Sequence, residues 1–194
     1  PDQPPEGELK AVCLDPENLE FHKHNALVAV DRDNFEEAIK HYTKCIDLDP
    51  EDFSFYRQRA QVYRILEKFE QAIVDCTKAI ELEEHSMAHC ERARSYLALG
   101  QYEEAIADCN KELENSQADG VESWVPFYLI ARAYLSMEKY PEALENCNRA
   151  LALQVNKEGF ETRSKIYEKI GDQEKSREDL EKAGTAPAGD SGVL

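Results

Sequence analysis

The sequence predicts an all-α fold, a solenoid of antiparallel helix pairs, and three observations carry that prediction. The phrase NFEEAIKHYTKCIDLDP at 34–50 returns as KFEQAIVDCTKAIELEE at 68–84, QYEEAIADCNKELENSQ at 101–117 and KYPEALENCNRALALQV at 139–155. Aligned on a shared small residue (Ala38, Ala72, Ala105, Ala143 and a weaker echo at Ser176), the steps are 34, 33, 38 and 33 residues, the period of a two-helix repeat. Within a step, apolar residues recur at helical spacing twice, as in FYRQRAQVYRILE and then KFEQAIVDCTKAIELE, and strand-like alternation is absent.

Taken in order, the units are expected near 19–52, 53–85, 86–119, 124–156 and 157–183, with 1–18 and 184–194 disordered. Asp33 and Asn34 separate the two helices of the first unit, and Pro50 ends its second helix. Gly100 breaks the third unit, while Pro141 opens a helix where a missing N–H does no harm. Small residues stand eighth (Ala26, Ala60, Ala93, Ala131, Ser164), twentieth (the aligned series) and twenty-seventh (Cys45, Ala79, Ala150, Ala183), where helix backbones must approach. Aromatic residues fill the spaces between, Phe35, Phe69, Tyr102 and Tyr140 in the second helices and Tyr63, Tyr96, Tyr134 and Tyr167 in the first. The third unit departs from the pattern. Glu112 stands where a small residue is due, and ENSQADGVES supplies the extra residues of the 38-residue step, so an irregular end and a long loop before Trp124 are expected. The fifth unit is polar, with Gln173 and Ser176 in place of the aromatic and the alanine; it reads as a degenerate cap facing water.

A formal charge of −17 disfavours nucleic acid and anionic lipid and biases the chain toward basic partners at long range. The composition suggests a cytoplasmic protein, with the nucleus as the alternative compartment. Six cysteines form no close CxxC pair, and five fall about one per repeat, as small buried side chains do in a reducing compartment. His85, His89 and Cys90 are the one metal-like group, and they read as a structural turn because no further ligand completes them. No GxSxG, HExxH or phosphate-binding glycine loop occurs, so no catalytic residue, metal or cofactor is assigned.

The small residue at eight, aromatic at eleven, alanine at twenty, small residue at twenty-seven and Pro50 at thirty-two together resemble the tetratricopeptide repeat, over residues 19 to 183. The resemblance implies a right-handed superhelix in which the first helices line a concave groove that takes extended peptides. It places the second, fifth, ninth, twelfth and thirteenth residues of each unit inward: Ser54, Arg57, Gln61, Arg64 and Ile65; Met87, Cys90, Arg94, Leu97 and Ala98; Val125, Tyr128, Arg132, Leu135 and Ser136. Those fifteen include four arginines and no carboxylate, in a chain with 40 Asp and Glu against 23 Lys and Arg. Arginine offers a planar fork that can hold a carboxylate through two hydrogen bonds. Lys23 and Lys165 extend the strip at its ends, diluted by Glu20, Glu158, Glu161 and Glu168.

Phrases such as HCERARSYLALGQYEEAI also look like the co-chaperones of this family, which clasp acidic C-terminal tails of heat-shock chaperones through a Lys/Asn/Asn/Lys/Arg clamp. The corresponding positions here hold Lys23, Leu27, Gln58, Met87 and Glu91, and only the lysine matches. The expected function is therefore a non-catalytic adaptor, chaperone-related in style but without the clamp, binding an extended acidic protein segment or C-terminal tail through Lys23, Arg57, Gln61, Arg64, Arg94, Leu97, Tyr128, Arg132, Leu135 and Lys165. Neither nucleic acid nor membrane is an expected partner. The alternative is a structural subunit that docks through its convex face or the 115–124 loop, with Trp124 at the contact. Arg59, Arg92 and Arg163, seventh in their units, are assigned to packing between helix pairs.

Overall fold

The computed structural model of the chain describes residues 18–84, 87–119 and 123–189. The described residues form ten helices in consecutive pairs and no strand: α1 (Leu19–Asp31), α2 (Phe35–Leu48), α3 (Phe53–Ile65), α4 (Phe69–Leu82), α5 (Ala88–Ala98), α6 (Tyr102–Asp119), α7 (Val125–Ser136), α8 (Tyr140–Leu153), α9 (Lys157–Ile170) and α10 (Gln173–Ala183). The chain divides into two compact units, one ending at Glu91 and the other beginning at Arg92, and each is described by itself. No described helix is long and apolar enough to cross a membrane.

One backbone device joins the helices of every pair. The fifteenth residue of each unit, Asp33, Glu67, Gly100, Glu138 or Gly171, adopts a left-handed conformation with φ between 56° and 87°. The sixteenth N–H then reaches back to the eleventh carbonyl, from Asn34 to Ala29, Lys68 to Tyr63, Gln101 to Tyr96, Lys139 to Tyr134 and Asp172 to Tyr167, at 2.8 to 2.9 Å. This is a Schellman-type stop, which satisfies carbonyls that the helix end leaves open. Three of the five residues carry a side chain in a conformation that favours glycine, at a local cost of about 1 kcal/mol or more.

The small residues lie where the repeat places them. Ala26, Ala60, Ala93 and Ala131 are buried, as are Ala38, Ala72, Ala105 and Ala143, and Cys45, Ala79, Ala150 and Ala183. Where serine replaces two of these alanines, the hydroxyls satisfy each other: Ser164 Oγ stands 3.0 Å from both the carbonyl and the Oγ of Ser176. Cys45, Cys76, Cys90, Cys109 and Cys147 are all buried. Burial pushes the Cys45 thiol up to about 11 and the Cys147 thiol up to about 12, so both are protonated, inert packing groups. Gly159 marks the tightest approach, because a β-carbon there would fall 2.7 Å from Leu151 Cδ2.

Two expectations need correction. The extra residues of the third repeat do not form a long loop: α6 continues to Asp119, because ENSQAD contains no breaker before Gly120. The segment after α10 is not wholly disordered either, since residues 184–189 turn back to the first turn of α9, where the Pro187 carbonyl accepts from the Lys157 N–H and the Gly189 N–H donates to the Glu158 carboxylate. The expected disorder of 1–17 and 190–194 concerns residues outside those described.

Candidate functional site

In the compact unit that ends at Glu91, Arg57, Gln61 and Arg64 stand at i, i+4 and i+7 on α3, so helical geometry gives them one face. All three are half-buried. Arg57 Nε is buried and has no hydrogen-bond partner among the described residues, so the position keeps an unmet donor. Arg64 contradicts the expectation of a carboxylate-free strip. Its Nε donates to Glu91 Oε2 at 3.2 Å, across from α3 to α5, and Glu91 is only 5% exposed. Glu91 stands sixth in its unit, so a count of the inward positions alone passes over it. Lys23, on α1, is likewise compensated: its Nζ donates to Glu20 Oε1 at 2.9 Å, and that bond raises the Lys23 pKa.

The positions matching the chaperone-tail clamp do not assemble one. Leu27 and Met87 are exposed apolar side chains, and Glu91 is held by Arg64. A carboxylate at that point would meet like charge.

In the compact unit that begins at Arg92, Tyr128, Arg132 and Leu135 share a face of α7 by the same spacing. Arg132 is exposed, and its guanidinium lies over the Tyr128 ring at 5.7 Å from the centroid. It makes no ion pair among the described residues. Stacking on the ring fixes the cation without neutralising it. Leu135 packs partly against the core cluster around Ala131 and Cys147, and Tyr128 against Trp124 and Phe127, so both are platforms embedded at one edge. Arg94 and Leu97 are half-buried on α5, with Arg94 close enough to Cys109 to act on its thiol. Lys165 is exposed on α9. Trp124 is buried, so the contact expected of it in an assembly surface is already occupied.

The seventh-position arginines behave otherwise. Arg59 donates through Nε and Nη2 to Asp75 Oδ2 and Oδ1 at 2.7 and 2.8 Å. Arg92 forms the same fork with Asp108 at 2.8 and 2.7 Å, and Arg163 with Asp179 at 2.7 and 2.8 Å. Each aspartate is buried and follows its arginine by sixteen residues, so the pair ties the first helix of a repeat to the second. The remaining donor reaches the preceding repeat, from Arg59 Nη1 to Thr43 Oγ1 at 2.9 Å and from Arg163 Nη1 to Asn148 Oδ1 at 2.7 Å. The aspartates escape a reading of the repeat one position at a time. The signal was present nonetheless: where Asn25 or Ile130 stands seventh, His41 or Asn146 stands in the aspartate's place.

His89 and Cys90 are buried on α5, His85 lies outside the described residues, and no metal-binding group of three or more His, Cys, Asp or Glu occurs among the described residues.

Comparison with known proteins agrees with the fold. One family model described as tetratricopeptide repeat matches residues 41–74, and another matches 26–52, 88–119 and 160–183. Similar solved structures include a tetratricopeptide repeat protein from Parabacteroides merdae, with 20% identity and TM-score 0.77 over 91% of this chain and 68% of that one. MamA from Desulfovibrio magneticus has 17% identity and TM-score 0.73, over 89% of this chain and 96% of that one. The TPR2B domain of yeast Sti1, in its complex with pHsp70, has 25% identity and TM-score 0.58, over 60% of this chain and 96% of that one. No curated protein sequence matches the chain.

Proposed function

Because the chain belongs to the tetratricopeptide repeat family and so to a class of protein-interaction modules, we propose that it is a non-catalytic adaptor whose inward helix faces bind an extended, acidic peptide segment. The observation that carries this reading is Arg132: an exposed guanidinium held over Tyr128, beside Leu135, without a neutralising acid among the described residues. A cation fixed on a ring, next to half-buried apolar side chains, offers an acidic peptide both a charge and a surface to dry against. In its own compact unit Arg132 has Arg94, Leu97 and Lys165 as further candidate contacts; in the other unit Arg57, with its unmet buried donor, and Gln61 offer an anion contact of their own. Arg64 and Lys23 contribute less than their charge suggests, since Glu91 and Glu20 already hold them. The Sti1 TPR2B domain is solved in complex with pHsp70, which supports a protein-derived ligand, and because only Lys23 matches the clamp that the family resemblance implies, the reading does not call on a terminal carboxylate.

The test is fluorescence anisotropy with a labelled Asp/Glu-rich decapeptide that has a free C-terminus. Arg132→Glu should weaken binding about tenfold or more, and affinity should fall with added salt as the exposed charge is screened. Equal affinity for wild type and an Arg57→Glu/Arg132→Glu double variant would remove the proposal.

A further inference from the structure

The last described stretch of the chain lies across the first turns of two earlier helices. The Lys157 backbone N–H, in the first turn of α9, donates to the Pro187 carbonyl at 2.9 Å, and the Gly189 N–H donates to Glu158 Oε2 at 2.7 Å. Between them the two bonds engage a carbonyl and an N–H two residues apart. They engage the main chain of the segment rather than any side chain, as sites that capture peptide backbone do. Gly189 presses on the indole of Trp124: a β-carbon added to it would stand 2.9 Å from Trp124 Cη2 and 3.0 Å from both Trp124 Cζ2 and Glu158 Oε2. The position therefore excludes larger residues by contact.

This spot adjoins the peptide-binding face. The Trp124 ring lies 5.5 Å from that of Tyr128, over which Arg132 is stacked, and Glu158 is second in its repeat, one of the inward positions. With the segment in place Trp124 is 6% exposed, although most of residues 184–188 remain open to solvent. A strap held by two hydrogen bonds and one ring contact, and otherwise exposed, belongs among the elements that open locally without unfolding the rest.

We propose that Trp124, the Lys157 N–H and Glu158 form a main-chain subsite for an extended peptide, and that the chain fills it with its own Pro187, Ala188 and Gly189. A partner running past the Arg132–Tyr128 ledge displaces this internal ligand, and the residue that replaces Gly189 must be glycine or nearly as small. The competition rests on the acidic-peptide reading above; the docking of the segment does not.

Trp124 is the only tryptophan in the sequence, so its fluorescence reports the strap directly. A chain ending at Gly184 and the full-length Gly189→Val variant should both show red-shifted emission and an acrylamide quenching slope raised about threefold, with unchanged helical circular dichroism, as expected of a local opening. A short tether supplies a local concentration of order 1 mM, so the amidated peptide GTAPAG at about 10 mM should restore protection to the shortened chain. Unchanged quenching in both variants, or no protection by the peptide, overturns the subsite. Removing the strap should also raise affinity for the acidic decapeptide about three- to tenfold, the gain expected when an internal competitor is lost. Increased quenching with no gain in affinity overturns the competition and leaves the strap a cap. Failure of the decapeptide to bind either form overturns the acidic-peptide reading, and the competition with it, while the quenching result still decides the subsite.

Discussion

Arginine occupies two sides of the first helices in this chain, and the sides differ in what surrounds the charge. On one side Arg59, Arg92 and Arg163 each meet a buried aspartate in a two-bond fork. On the other, Arg57 keeps an unmet donor and Arg132 rests on a tyrosine, while Arg64 is partly neutralised by Glu91. Residue type is constant across these six positions. What varies is whether the fold brings a carboxylate within about 3 Å, and that decides between a latch and a binding group.

Breaking the latch should have the largest effect. Asp179→Ala leaves Arg163 without its partner, and the expected loss is about 3 to 5 kcal/mol, read as a fall in denaturation midpoint. A loss under about 1 kcal/mol would show that the fork contributes little and that the two faces do not differ as described. Next, Glu91→Gln should lower stability modestly while raising affinity for the acidic decapeptide about three- to tenfold, since Arg64 is released toward the ligand. An unchanged affinity would exclude Arg64 from the site.

A smaller effect concerns the first repeat, one of the two that lack the latch. There His41 stands where the latched repeats have their aspartate, and its Nδ1 lies 2.8 Å from His22 Nδ1. Burial, and then the neighbouring His22 ring, hold the His41 pKa below its ordinary value, with Glu37 opposing and Lys40 reinforcing the shift. The unfolded chain therefore binds the proton more readily than the folded one. Stability contributed by this group is complete above about pH 6.5 and declines as pH falls below it, toward the lower folded-state pKa. His41→Asn should flatten the dependence of melting temperature on pH between about 7 and 5. The smallest change is expected from Glu138→Gly, which relieves a left-handed conformation but loosens the unfolded chain, for a net shift within about 0.5 kcal/mol. Glu138→Val, which cannot adopt φ near 60° comfortably, should by contrast destabilise by about 1 kcal/mol or more.

Much of the fold was legible because a repeat repeats its constraints. Ala38, Ala72, Ala105 and Ala143 announce one helix crossing four times, and each is buried. The turn between paired helices was legible at Gly100 and Gly171 but hidden at Asp33, Glu67 and Glu138, where side chains that ordinarily avoid positive φ accept it under the pull of the helix-ending hydrogen bonds. In the candidate site, helical spacing was enough to group Arg57 with Arg64 and Tyr128 with Arg132. The hold of Glu91 on Arg64 was not legible, because the two stand twenty-seven residues apart and meet only through a neighbouring helix. Residues 184–189 read as a disordered tail because TAPAG has neither helical period nor apolar mass, and their order depends on partners more than thirty positions earlier.

By itself the sequence determined the helix pairs, their number and the faces each residue joins, because periodicity and small side chains act locally and identically in every repeat. Tertiary structure alone decided which cations keep their charge available and where the final residues lie, because Coulomb attraction and ring contact depend on distances that only packed helices define.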